Sequence, residues 1–139
     1  MAMKFTHWAP VLAFALALPW AAQANNSNSA MSKEVSTATA HAGMAVGAAD
    51  LKTAHAHLQH VINCLVGPSG EGYDAKEANP CQGMGQGAIV DAKSDSGMGD
   101  SHAARLQAAV DQAEHGLKTT TLSDAQADAQ KVVSSLQTK

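Results

Sequence analysis

Two stretches of the chain decide its fold: LKTAHAHLQHVINCL at residues 51–65 and LSDAQADAQKVVSSL at residues 122–136. They align at a constant offset of 71 residues, and six aligned positions are identical. In both stretches the apolar residues recur at alternating steps of three and four, which is the spacing along one face of an α-helix. The repeat therefore predicts two copies of one helical unit.

The match continues upstream of both stretches. Val35, Ala38, Ala42 and Val46 align with Leu106, Ala109, Ala113 and Leu117. Each copy is then a pair of helices, and two short-linked pairs pack naturally as antiparallel hairpins. We predict an all-α fold, a four-helix bundle made of two repeated α-hairpins, with helices at 32–46, 51–66, 101–117 and 123–137.

An interruption in the helical spacing of the apolar residues separates the two helices of each pair. In the second copy the break lies at 118–121, and Ser123 with Gln126 forms a capping-box pattern for the next helix. By analogy the first copy breaks near 47–50, with Asp50 as the N-cap. The alternative is one unbroken helix over 33–66, because a second apolar stripe also keeps helical steps through the break.

The two predicted hairpins are joined by residues 67–100, which contain eight glycines together with Pro68 and Pro80. Structureless connections of this length are uncommon inside compact domains and are often functional or disordered. The glycine run at 83–87 lacks the preceding strand and the lysine of a phosphate-binding loop, so it does not indicate nucleotide binding.

Residues 1–24 have the pattern of a secretory signal peptide. Lys4 precedes an apolar run at 11–18, and Ala22-Gln-Ala24 is a small-x-small cleavage site. The apolar run is too short to span a bilayer as a helix. We therefore expect a single domain at 25–139, periplasmic or secreted, without a membrane anchor after cleavage.

Cys64 and Cys81 are the two cysteines of the chain. Export would place them in an oxidising compartment, where we expect a disulfide. A bridge closing a loop of this size contributes about 3 kcal/mol in the chain-entropy model. A thiolate metal ligand is the alternative, whereas the spacing does not fit a Cys-x-x-Cys redox pair.

The composition of the expected mature chain excludes some classes of partner. Without Lys4, eight basic residues stand against twelve acidic ones, so no basic face for nucleic acid is indicated. Leu, Ile, Val and Phe are 17 of its 115 residues, below the roughly 20% typical of a robust core. Such a chain needs a disulfide, a ligand or a partner, and a homo-oligomer is one open alternative.

Histidines distinguish the two copies of the repeat. The first hairpin carries His41, His55, His57 and His60, where the second carries Gln112, Gln126, Asp128 and Lys131. If the copies share an origin, they differ most at these positions. The difference points to chemistry that belongs to the first hairpin alone.

The hairpin model brings these histidines together. If Val46 lies opposite Leu51, His41 lies opposite Ala56, with Met44 one turn away. The predicted metal ligands are His41, Met44, His55, His57 and His60. Imidazole with thioether favours copper, and imidazole alone suits zinc, copper or nickel.

Two alternatives stand beside the cross-hairpin site. His57, His60 and Cys64 share one helical face, but a disulfide at Cys64 would leave only two imidazoles there. Without any ligand, the histidines would be ordinary helix residues. Haem is disfavoured, because the chain has no Cys-x-x-Cys-His motif and the expected mature chain keeps Tyr73 as its one aromatic residue.

Alanine-rich hairpins with spaced histidines behind a signal peptide resemble the small periplasmic metal-binding four-helix proteins of bacteria. The resemblance covers 32–66 and 101–137, and it implies a metal-binding function. Members of that group carry histidines in both hairpins, so the histidine-poor second half of this chain implies one or two sites rather than multi-ion storage.

The sequence thus predicts an exported metal-binding protein that acts as a buffer, chaperone or sensor. The alternative is an exported interaction protein that uses the glycine-rich connection to contact another exported protein and binds no metal. We expect no enzymatic activity. Asp100-Ser-His102 contains triad residue types, but neighbours at a helix start cannot face one another as nucleophile, base and orienting group.

Overall fold

This computed structural model describes residues 21–94 and 99–138, with side chains from residue 29 onward. The described part of the chain contains five α-helices. They are α1 (Ala21–Val46), α2 (Leu51–Val66), α3 (Ala88–Lys93), α4 (Gly99–Leu117) and α5 (Leu122–Gln137). The all-α prediction is confirmed. None of the described helices is both long enough and apolar enough to cross a membrane.

The two predicted hairpins are present. α1 packs mainly against α2, and α4 packs mainly against α5, while contacts between α1 and α5 and between α2 and α4 join the pairs. The first hairpin is broken at 47–50, as predicted. Asp50 is the N-cap of α2 and accepts a hydrogen bond from the Thr53 N–H at 2.8 Å. The alternative of one unbroken helix over 33–66 is therefore wrong.

The cap of α5 differs from the prediction. Thr121 is the N-cap, and its hydroxyl oxygen accepts a hydrogen bond from the Asp124 N–H at 3.1 Å. The predicted capping box at Ser123 and Gln126 is wrong, because the helix already begins at Leu122. Gln126 instead donates a hydrogen bond to the carbonyl oxygen of Ala48 at 3.0 Å, which links the second hairpin to the turn of the first.

The predicted four-helix bundle is corrected by a fifth helix. α3 lies within the connection that was expected to be structureless, and it buries Ala88, Ile89 and Ala92. Six residues are too few to show an apolar period, so the sequence pattern could not reveal this helix. The described part of α1 also begins well before residue 32, and of the predicted signal peptide only 21–24 lies within the described residues.

Alanine side chains form many of the contacts between the helices. Ala38, Ala42, Ala54, Ala109, Ala113, Ala125 and Ala129 are fully buried. Short side chains let helices approach closely, and the larger residues Leu58, Ile62, Leu65 and Leu106 fill the centre. One close approach is at Gly116, where a Cβ atom would lie 2.7 Å from Cδ1 of Leu58.

The connection between α2 and α3 is fastened to α2 at two adjacent residues. Cys64 and Cys81 form the predicted disulfide, with Cα atoms 5.1 Å apart. The fully buried amide of Asn63 donates to the carbonyl oxygens of Asp74 at 3.0 Å and Ala78 at 3.1 Å. It also accepts from the Asp74 N–H at 3.0 Å. Residues 74–78 are thereby held beside the C-terminal half of α2.

Replacing single glycines with alanine tests how closely the connection packs against the C-terminal end of α2. Gly67 has φ +70°, and a Cβ atom there would overlap the carbonyl oxygen of Gln86; Gly83 has φ +80° but open space around it. We expect Gly83→Ala to destabilise the protein by about 1–2 kcal/mol, the cost of the left-handed conformation. Gly67→Ala should add a steric clash and cost more, as measured by urea denaturation. Equal losses would contradict the close approach.

Candidate metal centre

Three of the predicted histidines converge between α1 and α2. The Nδ1 atom of His41 lies 3.2 Å from Nδ1 of His57 and 3.3 Å from Nδ1 of His60. His57 and His60 are one turn apart on α2, so both rings face the single histidine of α1. In the chain as described, this is the one group of three or more His, Cys, Asp or Glu residues whose ligand atoms all lie within 4.8 Å.

The spacing of the nitrogen atoms around His41 suits a metal ion. A tetrahedral ion bound at about 2.0–2.1 Å places its nitrogen ligands about 3.3 Å from one another. The two Nδ1–Nδ1 separations from His41 agree with that value. The three side chains are half-buried, so an ion can reach them from solvent.

Hydrogen bonding among the imidazoles cannot fully satisfy this arrangement. A neutral imidazole carries one N–H and one lone pair on separate nitrogens, so Nδ1 of His41 offers one or the other to both of its neighbours. A cation would accept a lone pair from each ring at once. The convergence of three Nδ1 atoms is therefore the arrangement expected of a ligand set.

The surroundings favour the neutral form of the rings. Burial lowers the pKa of His41, and the positive charges of protonated His60 and His57 lower it further. Burial also lowers the pKa of His60, and His57 adds to this effect, while Glu77 opposes it. Neutral imidazole is the form that binds a metal, so the site is prepared for coordination at neutral pH.

A carboxylate stands behind one of the three rings. Oε2 of Glu77 lies 3.7 Å from Nε2 of His60, beyond hydrogen-bond distance but close enough for an ionic interaction. Metal-bound histidines usually direct their second nitrogen toward such a group, which orients the ring. Glu77 is positioned by the residues 74–78 that Asn63 holds.

His55 and Met44 lie outside this group of three. Met44 is 50% exposed. His55 lines a cleft together with Leu117 of α4, and its Nε2 atom is buried without a hydrogen-bond partner among the described residues. Pairing Val46 with Leu51 predicted correctly that His41 lies beside the histidines of α2, but His57 and His60, rather than His55, contact it. The alternative site of His57, His60 and Cys64 is not available, because Cys64 is in the disulfide.

The second hairpin holds a different cluster at the same repeat positions. Gln112, Asp128 and Lys131 occupy the places of His41, His57 and His60. Oδ1 of Asp128 accepts hydrogen bonds from Gln112 at 2.7 Å and Lys131 at 3.0 Å, and Oδ2 lies 2.5 Å from Nδ1 of His115.

The charges of this second cluster are balanced within the protein. Burial opposes ionisation of Asp128, but hydrogen bonds from His115 and Lys131 and their charges hold its pKa below the usual value. The second copy thus contains its own cation, the Lys131 ammonium. The first copy brings three imidazoles to the equivalent place without a lysine or other cation among them.

The chain matches no family model, no curated protein and no solved structure. The resemblance to periplasmic four-helix metal-binding proteins therefore stays a prediction. A functional assignment depends on the chemistry of the side chains themselves.

Proposed function

We propose that this protein is an exported metal-binding protein, a buffer or carrier rather than an enzyme, and that His41, His57 and His60 bind the ion. The observation that carries the proposal is the approach of the three Nδ1 atoms, at 3.2 and 3.3 Å from His41. The comparison with the second hairpin supports it, since the same positions there place a lysine ammonium against a buried carboxylate. Imidazole alone suits zinc, copper or nickel.

Copper(I) is the ion that we propose as the preferred one, with Met44 as an additional ligand. The residue of the second hairpin that corresponds to Met44 is His115, which contacts Asp128, the counterpart of His57. If the two hairpins have the same geometry, a side chain at position 44 would reach an ion held by His57. Met44 and Val90 are the large apolar side chains that are exposed in the described part of the chain. A thioether is a soft ligand that favours copper(I) over zinc.

The disulfide supports the exported location. Cytosolic reductants keep most thiols reduced, whereas the Cys64–Cys81 bridge would persist in an oxidising compartment. Coordination by imidazoles also means that affinity should fall in acid, because protons compete for the same lone pairs once the pH falls below the lowered pKa values of His41 and His60.

A methionine exchange tests this proposal. The disulfide-intact protein is titrated with Cu(I) and with Zn²⁺ against chromophoric chelators. We expect one ion per chain, bound more tightly than about 1 μM. Met44→Leu should weaken Cu(I) binding by at least about tenfold and leave Zn²⁺ binding within about twofold, because only the soft ligand is lost.

Met84→Leu is the matched control, since the thioether of Met84 lies 3.7 Å from the Thr37 hydroxyl, in the contact between α1 and the connection. It should leave both affinities unchanged. Equal losses of Cu(I) and Zn²⁺ binding in Met44→Leu would contradict the role of Met44. Absence of binding by the unmodified protein would overturn the metal-binding function and favour the interaction protein predicted as the alternative.

A further inference from the structure

Two carboxyl side chains meet in the interior, away from the metal centre. Glu34 of α1 is 1% exposed and Asp91 of α3 is 6% exposed. Oε1 of Glu34 accepts a hydrogen bond from the Gly87 N–H at 3.0 Å, and Oδ2 of Asp91 accepts one from the Gln86 N–H at 3.3 Å. The second oxygen of Glu34, Oε2, is buried and has no hydrogen-bond partner among the described residues.

The absence of a side chain at residue 85 makes room for both groups. A Cβ atom on Gly85 would overlap Oδ2 of Asp91 and lie 2.9 Å from Oε1 of Glu34. Both carboxyl groups therefore border the same small volume. The carboxyl group of Glu34, on α1, binds the N–H of Gly87, and the carboxyl group of Asp91, on α3, binds the neighbouring N–H of Gln86.

No cation balances this pair in the described part of the chain. Asp91 is the charged group that acts on Glu34. Among the described residues, α2, α4 and α5 form no ion pair with either carboxyl group. Cys81, which approaches the backbone oxygen of Glu34, is in the disulfide and does not titrate. Two carboxylates without a counter-charge cannot both ionise cheaply in a buried site.

We infer that Glu34 and Asp91 share one proton, and that this protonated pair is a pH-operated clasp that fastens residues 81–94 to α1. A proton on Oε2 of Glu34 would leave Oε1 free to accept from the Gly87 N–H. A metal ion fits the pair less well, because two N–H groups already point at its oxygens and no third His, Cys, Asp or Glu joins it among the described residues.

The direction of the pH response follows from the carboxyl of Glu34. Burial raises its pKa from 4.5 to about 7; Asp91 adds to the shift, and the hydrogen bond from Gly87 opposes it. The folded protein therefore retains a proton that the unfolded chain releases near pH 4.5. The stability that the clasp contributes is greatest below pH 4.5 and is lost as the pH rises through about 7. Above that pH, two adjacent charges should loosen α3.

Hydrogen exchange of the disulfide-intact protein tests the clasp. After correction for the intrinsic exchange rate, we expect the protection of amides 86–93 to fall at least about tenfold between pH 6 and pH 8, relative to amides of α5. Glu34→Gln should keep these amides protected at both values, because a glutamine can accept from Gly87 and donate to Asp91.

Asp91→Asn repeats the test from the other side of the pair, since its amide can donate to Glu34. Glu71→Gln removes an exposed carboxylate from the same connection and should behave as the unmodified protein. The inference is overturned if protection over 86–93 does not depend on pH, or if the dependence survives in both Glu34→Gln and Asp91→Asn.

Discussion

Replacing His41 with alanine is expected to lower the affinity for Zn²⁺ and Cu(I) by more than about 100-fold. Loss of an outer-shell partner alone typically costs 10–100-fold in metal affinity, and loss of a ligand should cost more. His41 is the sole imidazole that α1 contributes to the proposed ligand set, and its Nδ1 atom makes both short contacts of the group. The variant would keep two imidazoles on one face of α2, which is an incomplete set for a tightly held ion.

His55→Ala is the matched control for this experiment. It makes the same chemical change in the same hairpin, at a histidine that lies outside the three. Its affinity should stay within about twofold of the unmodified protein, measured by chelator competition, with circular dichroism to confirm helix content. Similar losses in the two variants would show that the ion binds elsewhere or that the substitutions act through the fold.

Transferring the three histidines to the second hairpin should create a second metal site. The variant Gln112→His/Asp128→His/Lys131→His places imidazoles at positions whose present side chains already converge within hydrogen-bond distance. The buried carboxylate and its ammonium partner leave together, so no unpaired charge remains between them. We expect the stoichiometry to rise from one ion to two per chain, read by titration and native mass spectrometry.

The reverse exchange completes this test. His41→Gln/His57→Asp/His60→Lys copies the second hairpin into the first, and it should fold without metal and bind none. If the forward variant folds cooperatively and still binds a single ion, equivalent positions in the repeat do not suffice to form a site.

Much of the fold was accessible from the sequence because the signals were long. Two 15-residue stretches with matching periods predicted the hairpins, and Asp50 supplied the cap of α2. α3 was missed because a six-residue helix has no measurable period, and it depends on burial of Ile89 and Ala92 against the bundle. The described start of α1 was missed for a related reason, since 21–30 is rich in alanine, asparagine and serine and carries no apolar stripe.

The candidate site was predictable at lower precision than the fold. A rule that pairs residues across a hairpin gives the level at which two side chains meet, but not their direction around the helix axis. It therefore placed His41 between His55 and His57 without separating these two, and it did not bring His60 to His41. The buried carboxyl pair left one overlooked signal: Glu34 is in step with Ala38 and Ala42, so an acidic residue occupied the apolar stripe of α1.

The proposed metal ligands also bear on how the chain folds. His60 follows His41 by only 19 residues, and the turn at 47–50 joins their helices. Short loops close with little loss of entropy, and contacts that are local in sequence favour rapid folding. The first hairpin alone could therefore present all three imidazoles before α4 and α5 assemble. An ion captured at that stage would accelerate formation of its own hairpin, whereas the second hairpin, held by Asp128 and Lys131, would form at a rate independent of metal supply.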